Sequence, residues 1–434
     1  MNRIDRRRFL EGSAGVAAAA TGLWAPAVHA QASPNFKPEK GAKLRVLRWS
    51  RFVQGDIDAY MVNVRKFTEK TGIEVRVDNE GWEDVRPKAA VAANTGAGPD
   101  IILSTNDDAN LYPDKLLDVT DVAEYIGKKY GGWYPAGQAF LRPDGKKWIG
   151  IPLGAAGSMM VYRDSVLKSA GFDSFPKDTD GFLKMMKAVK DKGMPGGMAL
   201  GNATGDGLWC NWLIWSHGGM LVDKNNKVIV NSPETAKALE YVKSLYENFI
   251  PGTASWNDSS NNKAFLAGQL HLTTNGISIY VAAKKENPAI AADMDHAHLP
   301  VGISGQVREQ HLGFPILIFN FSKYPQACKA FTAFLMEGPQ FNPWIEAAQG
   351  YLSHFLLAYD ANPIWTADPK NTPYRDVAKL ASTPAGIGTL NESAAAAIAD
   401  FVVVDMFANY CTGREDLKGA MASAERQFKR IYRS

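Results

Sequence analysis

Hydrophobic positions from residue 44 onward change repeatedly between a strand-like and a helix-like period. Residues 44–49 alternate apolar and basic side chains, as a strand does, and residues 57–67 then repeat apolar side chains at helical spacing. Residues 73–77 alternate again, residues 83–95 are Ala-rich and helix-like, and residues 100–104 form a short apolar run. This order predicts an α/β fold with a parallel sheet covered by helices on both faces.

The same order predicts where a ligand would bind. In a parallel α/β sheet, ligands lie in the crevice beyond the carboxyl ends of the strands. The loops that follow the first three predicted strands, residues 50–56, 79–84 and 105–112, therefore face the expected site. Strand and helix patterns start again after residue 198 and end in a strongly helical tail over 393–432, so two α/β lobes in one chain are the simplest account.

The first thirty residues have the composition of an export signal. Arginines crowd the first eight positions, an uncharged Ala-rich segment covers 12–28, and Ala30 and Ala32 offer cleavage points. The string D-R-R-R-F-L-E over 5–11 resembles the twin-arginine export motif. The pattern predicts a twin-arginine-type signal peptide over 1–30.

A membrane anchor is the alternative, but this segment is too short and too weakly apolar to span a bilayer comfortably. No Cys lies near the cleavage points, so we predict that the protein is not a lipoprotein. No later stretch reaches about 18 uninterrupted apolar residues. We therefore expect an exported, soluble protein that is free in the periplasm.

Composition excludes several other classes. With 434 residues, 46% hydrophobic and 21% charged, the chain is neither disordered nor fibrous. The net charge of +3 lacks the basic excess of a nucleic-acid-binding domain, so no nucleic-acid partner is predicted. Cys210, Cys328 and Cys411 either supply one disulfide and one thiol or remain three small buried side chains.

Sequence motifs for catalysis and metal binding are absent. The Gly-rich stretch 201–207 lacks the ending of a phosphate loop, and neither a G-x-S-x-G nor an H-E-x-x-H string occurs. His296 and His298 form the only close histidine pair and have no carboxylate or cysteine spaced to complete a site, so we predict no metal and no cofactor. A secreted glycoside hydrolase, with Glu80 and a loop aspartate as its two carboxyls, stays the alternative from a different functional class.

Seven short segments, spread over most of the chain, carry a resemblance to a known family through their joint order. In chain order they are F-T-E-K-T-G-I-E-V (67–75), G-A-G-P-D-I-I (96–102), W-I-G-I-P-L-G (148–154), M-V-Y-R-D-S-V-L-K-S-A-G (160–171), N-N-K-A-F-L-A-G-Q-L (261–270), F-N-F-S-K-Y-P-Q-A-C-K-A-F (319–331) and A-A-Q-G-Y-L-S (347–353). This order resembles the extracellular solute-binding proteins of ABC importers, family 1, which include the maltose-binding proteins. The chain departs from the family at Arg163, where the family usually has Asn, and at 275–277, where it often has a Gly-Pro-Trp-like string.

The resemblance implies a type II-like, two-lobed periplasmic binding protein, in which each lobe is a mainly parallel sheet flanked by helices and a hinge joins the lobes. The implied lobes are 41–152 with 311–350, and 153–310 with 351–434. The three implied hinge crossings lie near 152–155, 311–314 and 350–353. The implied function is the substrate-binding component of an ABC import system, which captures a carbohydrate between the lobes by hinge closure and delivers it to a permease.

A sugar presents apolar C–H faces and a rim of hydroxyls, so its site combines flat aromatic rings with planar polar side chains. With two lobes in place, several loops of this chain offer that mixture. The predicted ligand-binding residues are Trp49, Arg51, Glu80, Trp82, Asp84, Asn106, Asp107, Asp108, Asn202, Asp206, Trp209, Trp256, Asp258, Asn275, Gly313 and Tyr351. Each Trp could equally be a core residue, and Asp107 with Asp108 could be a solvated turn or a helix cap.

The residues leave the ligand open. A sugar or oligosaccharide is the main expectation, and a polyol, a glycerol-phosphate ester or an acidic sugar derivative held by Arg48 or Arg51 is the alternative on the same fold. The expected partners are the ligand and ABC permease subunits in the inner membrane. We expect the protein itself to be a monomer and not an enzyme.

Overall fold

The computed structural model describes residues 34–433 except Arg51 and Asn106. The predicted signal peptide over 1–30 lies outside the described residues.

Eight strands within the described residues form two sheets. The strands are β1 Lys43–Trp49, β2 Glu74–Glu80, β3 Ile101–Leu103, β4 Ile151–Ala156, β5 Met159–Arg163, β6 Leu272–Asn275, β7 Met294–Ala297 and β8 Leu312–Ile318. The larger sheet has the strand order β2-β1-β3-β8-β4, and the smaller sheet has the order β6-β5-β7.

Helices cover these sheets. They are α1 Gln54–Thr71, α2 Trp82–Thr95, α3 Thr120–Lys129, α4 Pro135–Leu141, α5 Asp164–Ser169, α6 Thr179–Asp191, α7 Trp209–Ser216, α8 Pro233–Tyr246, α9 Ser260–Leu266, α10 Ser278–Glu286, α11 Pro288–Asp293, α12 Pro325–Met336, α13 Gly338–Ala347, α14 Ile364–Ala367, α15 Thr372–Arg375, α16 Val377–Leu380, α17 Glu392–Ala399, α18 Val402–Thr412 and α19 Leu417–Tyr432. α1 ends where Gly72 adopts φ +72° and donates its N–H to the Thr68 carbonyl.

The two sheets differ in strand direction. β1 pairs in parallel with β2 and with β3, as predicted, whereas β8 runs antiparallel to β3 and β4. The smaller sheet is antiparallel throughout, so the α/β class is confirmed but the expected parallel sheet is wrong for this part of the chain. The chain runs through five α-helices between β5 and β6, and so long a connection can return a strand in either direction. An apolar strand has the same pattern in both directions.

The three predicted hinge crossings lie side by side. Ala155 of β4 pairs with Gly313 of β8 on one side and forms a bridge with Ser353 on the other. Gly154 is needed for this close approach, since a Cβ there would lie 2.8 Å from the Ser353 carbonyl oxygen. β4 leaves the larger sheet at Ala156, and β5 begins the smaller sheet only three residues later. Gly313, Ala155 and Ser353 therefore form a short strip between the two sheets, which we call the crossing strip.

Two hydrophobic cores flank the crossing strip. One is built around the larger sheet, and the other around α6, α7, α8, α18 and α19. After the third crossing, the chain packs first on the larger-sheet side, where Tyr359 stacks on Tyr130 and Leu356 bridges to Trp133. Only from about α18 onward does the tail join the second core. The predicted lobe limits, with 351–434 in the second lobe, remain a prediction.

Two local features bear on earlier expectations. Residues Glu392–Thr412 are apolar and long enough to match a membrane span by composition, but more than half of their most apolar window is buried in the protein. The segment also breaks into α17 and α18 at Phe401, whose φ is +54°.

The three cysteines are all buried and free, which matches the alternative of three small buried side chains.

Candidate functional site

A cavity of about 380 Å³ lies between the two sheets, next to the crossing strip. Residues from both sides of the strip line it: Phe52, Trp82, Ala156, Ser158, Gly205, Asp206, Asp258, Asn275, Gly276, Ser278, Leu312 and Tyr351. The predicted residues Trp82, Asp206, Asp258, Asn275 and Tyr351 are thus brought together although they come from distant parts of the chain.

The larger-sheet side of the cavity is a cluster of aromatic rings. Trp82, the first residue of α2, meets Phe52 edge-on with ring centroids 5.3 Å apart. Behind it, Trp49 stacks on Phe314 at 4.7 Å, and Phe314 lies 5.7 Å from the Tyr351 ring. The second row of rings fixes the first in place, because offset and edge-to-face pairs have defined geometry.

The opposite side is organised by the Asp258 carboxylate. Its two oxygens accept hydrogen bonds from the backbone N–H groups of Thr204 at 2.7 Å, Gly205 at 2.8 Å and Asp206 at 2.9 Å. The Trp82 indole N–H donates to the same carboxylate at 3.1 Å, from the other side of the cavity. Four donors occupy all the lone-pair positions of a carboxylate. Asp258 therefore shapes the loop over 204–206 and connects it to α2, and it has no lone pair left for a ligand.

Asp206 is the second acid in the cavity and is half-buried. Burial raises the pKa of Asp206 well above its ordinary value, and the negative charge of Asp258 adds to this effect. A carboxyl group accepts hydrogen bonds from hydroxyl groups, so Asp206 is placed to pair with a hydroxyl of a ligand.

The amide of Asn275, the last residue of β6, completes the polar side. Its Nδ2 donates to Asn262 Oδ1, and its Oδ1 lies 3.5 Å from the Ser278 hydroxyl. The adjoining Gly276 also lines the cavity, so residues 275–278 form a single polar edge where the smaller sheet ends.

Ser158, between β4 and β5, is held by a buried chain of hydrogen bonds. Its backbone N–H donates to His311 Nδ1 at 3.0 Å, so the ring proton lies on His311 Nε2, which donates to Glu309 Oε2 at 2.9 Å. The other oxygen, Glu309 Oε1, accepts the Leu299 N–H at 3.2 Å and lies 3.6 Å from His298 Nδ1. This chain fixes the short turn that carries the backbone from one sheet to the other.

Glu309 is a buried acid with several donors. Burial by itself would raise the pKa of Glu309, but the hydrogen bond from His311 and the nearby His298 ring outweigh it and lower the pKa to about 2. The same contact with Glu309 raises the pKa of His298. His298 is therefore half of an acid–histidine pair, whereas the nearby His296 Nδ1 bonds to the Lys370 carbonyl at 2.9 Å. The described residues contain no cluster that could hold a metal ion.

Three predicted tryptophans lie outside the cavity lining. Trp49 is fully buried in the ring cluster behind Trp82. Trp209 is buried in the second core and donates its indole N–H to the Ala199 carbonyl at 2.8 Å. Trp256 packs its six-membered ring against the backbone at Gly197, where a Cβ would lie only 2.6 Å away.

The predicted polar residues near strand ends have separate surroundings. Glu80 pairs with Lys88 at 2.5 Å, and Asp84 and Asn202 are exposed. Gly313 is a buried residue of β8 in the crossing strip. None of these four is among the residues that line the described cavity.

Asp107 and Asp108 are buried rather than solvated. Asp108 accepts from Arg86 Nε at 2.7 Å and from the Ser104 hydroxyl at 2.8 Å. Within the described residues, both carboxylate oxygens of Asp107 lack a hydrogen-bond partner. Burial raises the pKa of Asp107 to about 7, against the opposing charge of Arg86.

The predicted residues Arg51 and Asn106 lie outside the described residues. Arg48, the other arginine considered for an anionic ligand, is fully buried. It pairs with Asp56, which also accepts the Trp344 indole N–H at 2.7 Å. Arg48 is therefore not available to a ligand.

Sequence reasoning missed several lining residues. Phe52 lies in the loop over 50–56 that was expected to face the site, but nothing in the pattern distinguishes it there. Leu312 falls within a predicted hinge crossing, which gave a positional signal without a chemical one. Ser158 and Gly205 are small loop residues and Ser278 is the first residue of α10, and no sequence signal marks them.

With the geometry described, the chain was compared with known proteins. A family model for bacterial extracellular solute-binding proteins matches residues 63–373. A probable ABC transporter-binding protein of Deinococcus radiodurans is 27% identical over 191 residues, which are 42% of this chain and 46% of that protein. The chain spans about half the length of the curated relatives it matches.

Solved structures match over nearly the whole chain. The GacH receptor of Streptomyces glaucescens, solved unliganded and with acarbose, has a TM-score of 0.74 at 17% identity and covers 91% of this chain and 99% of its own. A sugar transporter protein from Arthrobacter chlorophenolicus with bound laminaribiose has a TM-score of 0.75 at 16% identity and covers 90% and 99%. At this identity the match shows a shared two-lobed fold. Because the family match extends over most of the sequence, this chain belongs to the bacterial extracellular solute-binding protein family.

Proposed function

We propose that this protein is the substrate-binding component of an ABC importer and that it captures a carbohydrate in the cavity beside the crossing strip. The observation that carries the proposal is the contrast between the two sides of that cavity. Aromatic rings of Phe52, Trp82 and Tyr351 meet polar groups of Asp206 and Asn275 across it. A sugar ring needs this combination, because it offers apolar faces to the rings and hydroxyls to the polar side.

The comparisons support this class of ligand. The solved relatives that share the fold carry acarbose and laminaribiose, and others carry maltose and D-mannitol. An anionic ligand is less well supported, because Arg48 is committed to Asp56. A polyol fits the same groups and is an outcome of the experiment below.

Capture would work by hinge closure at the crossing strip. A ligand can contact both sides of the cavity at once only when those sides are close together. Binding therefore favours the closed arrangement. Shifting a 1:99 equilibrium to 99:1 takes about 5.5 kcal/mol of differential binding. A few hydrogen bonds of roughly 0.5–1.5 kcal/mol each, with burial of aromatic surface, supply this amount.

The cellular setting is part of the proposal. The signal over 1–30 would direct export by the twin-arginine route, and the mature, lipid-free monomer would act in the periplasm. Its partners would be permease subunits in the inner membrane.

The family is one of solute-binding proteins. The saturated Asp258 carboxylate also leaves no pair of free carboxyls in the cavity for a hydrolase.

The test combines binding, turnover and shape. Purified mature protein is titrated calorimetrically with glucose, maltose, maltotriose, laminaribiose and mannitol, and each mixture is then checked by chromatography for products. We expect micromolar or tighter binding of at least one compound, no product, and a smaller radius of gyration by X-ray scattering on binding. Steady product release, or scattering that no bound compound changes, would contradict the proposal.

A further inference from the structure

A hydrogen bond joins the two sides of the cavity directly, from protein to protein. The Trp82 indole N–H, at the start of α2 on the larger-sheet side, donates to the Asp258 carboxylate at 3.1 Å. Asp258 belongs to the opposite side, because it precedes α9, where Asn261 Nδ2 donates to the Thr274 carbonyl of β6 at 2.9 Å. A movement that separates the two sides must therefore break the bond between Trp82 and Asp258.

The donor of this bond is held by the aromatic rings on its own side. The Trp82 ring lies edge-on to Trp49, with ring centroids 5.8 Å apart, and edge-on to Phe52 at 5.3 Å. It meets Phe314 in the same way at 6.1 Å. Edge-to-face contacts have a defined geometry, so these three fix the direction of the indole N–H independently of Asp258.

The acceptor is held by donors on its own side as well. The backbone N–H groups of Thr204, Gly205 and Asp206, in the loop before α7, bond to the Asp258 carboxylate. If Trp82 withdraws, three of the four hydrogen bonds remain and water can take the fourth position. The bond can thus break and form again without a rearrangement on either side.

Burial strengthens this hydrogen bond. Only 3% of the surface of Trp82 and 7% of that of Asp258 is exposed. A hydrogen bond to a carboxylate is stronger than one between neutral groups, and it gains further strength where water is excluded. The bond therefore favours the arrangement in which the two sides are together, and it does so without any ligand atom.

We propose that the Trp82–Asp258 hydrogen bond is a latch that closes part of the protein population before a ligand binds. The inference rests on the hinge closure of the proposed function, but not on the chemistry of the ligand. If about one tenth of the ligand-free protein is closed, the ratio of ligand affinities for the closed and open forms can be about tenfold smaller than in the 1:99 case. Trp82 is then a positioning residue as well as a ring of the cavity, because it sets the closed fraction.

Distances between two spin labels measure the closed fraction without a ligand. Val91→Cys on α2 and Lys263→Cys on α9 place one label on each side, at residues that are exposed. The three native cysteines are buried, so the introduced thiols are the ones that react. The distance distribution is measured in the labelled mature protein and again with Trp82→Phe or Trp82→Leu added, each of which removes the indole N–H.

Asn275→Ala is the matched control. It removes a polar group from the cavity, but the hydrogen bonds of Asn275 to Asn262 and Ser278 stay on the smaller-sheet side. The sugar affinity of every variant is measured with the same five compounds as in the binding test. This control separates a group that only contacts the ligand from one that holds the two sides together.

Without a ligand, we expect at least about one tenth of the unmodified molecules at the short label distance given by the structure, and the rest at a longer one. Trp82→Phe and Trp82→Leu should lower the closed-to-open ratio at least about 5-fold, since they remove a hydrogen bond to a carboxylate. Asn275→Ala should weaken sugar binding and leave this ratio within roughly 1.5-fold, because it breaks no bond between the two sides.

Two results would overturn the inference. One is a ligand-free protein that shows only the long distance, which needs no variant to be seen. The other is a closed-to-open ratio that neither Trp82 variant lowers. Both results leave sugar capture intact, whereas the failure of all five compounds to bind would overturn the proposed function and leave the latch to the distance measurement.

Discussion

Asp107 and Asp258 show how differently two buried loop acids can behave in one molecule. The sequence suggested a ligand contact for both, and both are buried, with 1% and 7% of their surface exposed. Asp258 receives four hydrogen bonds and lines the cavity, whereas the oxygens of Asp107 have no partner within the described residues. The difference lies in the backbone, since the loop over 204–206 directs three consecutive N–H groups at one point.

This comparison indicates that burial alone does not decide the role of an acid. A carboxylate surrounded by donors stays organised and shapes its neighbours, and one without donors favours its protonated form. The four predictions below test this view, starting with the change from which we expect the largest effect.

Replacing Asp258 with alanine should have the largest effect. Three backbone N–H groups and the Trp82 indole would lose their acceptor in a buried place. We expect an affinity at least 100-fold lower for the best-binding sugar, and a free energy of unfolding lower by roughly 3–5 kcal/mol. Calorimetric titration and urea unfolding measure the two quantities. Asp258→Asn keeps one carbonyl acceptor, so its affinity and stability should lie between those of the alanine variant and the unmodified protein. An alanine variant with unchanged affinity and unchanged stability would contradict the role given to Asp258.

Replacing Asp107 with asparagine should act in the opposite direction. The pKa of Asp107 is about 7 when folded and 3.8 in the reference state, so between these values the folded protein binds more protons. The free energy of unfolding should therefore fall as pH rises from about 4 to 7. Asp107→Asn removes this loss and should stabilise the protein at pH 8 by roughly 2–4 kcal/mol, with little effect at pH 4.

Urea unfolding at pH 4, 6 and 8 tests this expectation. Asp84→Asn, at an exposed aspartate, serves as the control and should leave the pH dependence unchanged. If the free energy of unfolding of Asp107→Asn changed with pH as it does in the unmodified protein, the Asp107 carboxyl would not be the source of the pH dependence.

Exchanging tryptophan for phenylalanine at two places separates a ligand contact from a core contact. Trp82→Phe keeps a ring in the cavity but loses the indole bond to Asp258, so we expect about 10-fold weaker sugar binding, with stability lower by less than about 1 kcal/mol. Trp209→Phe removes the bond to the Ala199 carbonyl in the second core, and it should cost roughly 1–2 kcal/mol of stability with affinity within 2-fold. Titrations should show the larger loss of affinity in Trp82→Phe, and thermal unfolding should show the larger loss of stability in Trp209→Phe. If one variant lost more of both, the assignment of Trp82 to the ligand site and Trp209 to the core would be wrong.

Glu309 offers the smallest and most specific test. Because the pKa of His298 is raised by Glu309, their pairing stabilises the fold below the ordinary histidine pKa, and this is lost as pH rises through the folded value. Glu309→Gln should therefore destabilise the protein slightly more at pH 5 than at pH 8, by less than about 1 kcal/mol, since His298 is partly exposed and screened. His298→Gln should give the same difference in stability loss between pH 5 and pH 8. If Glu309→Gln lost the same free energy of unfolding at both pH values, the His298–Glu309 pair would not contribute to the pH dependence of stability.

The sequence predicted the α/β class and the strand–helix order of the first 100 described residues. Those predictions succeeded because they depend on local periodicity and on the order of segments along the chain, whereas the hinge crossings that the family resemblance implied remain a prediction. The parallel direction expected for the smaller sheet was wrong, since apolar patterning does not encode the direction of a strand that returns after five helices. For the candidate site, Trp82 and Trp209 had equal standing in the sequence, and only packing separates them.

What the sequence determined by itself was the kind of molecule: its α/β elements and its resemblance to a binding-protein family. Only the tertiary structure decided which side chains meet, because those contacts join residues that local patterns cannot relate. Trp82 and Asp258 are 176 positions apart, and their hydrogen bond depends on how two sheets are placed across the crossing strip. Three backbone N–H groups of the loop over 204–206 make Asp258 an organising acid, whereas Asp107 has no donor among the described residues. This difference is a property of backbone direction and not of residue type.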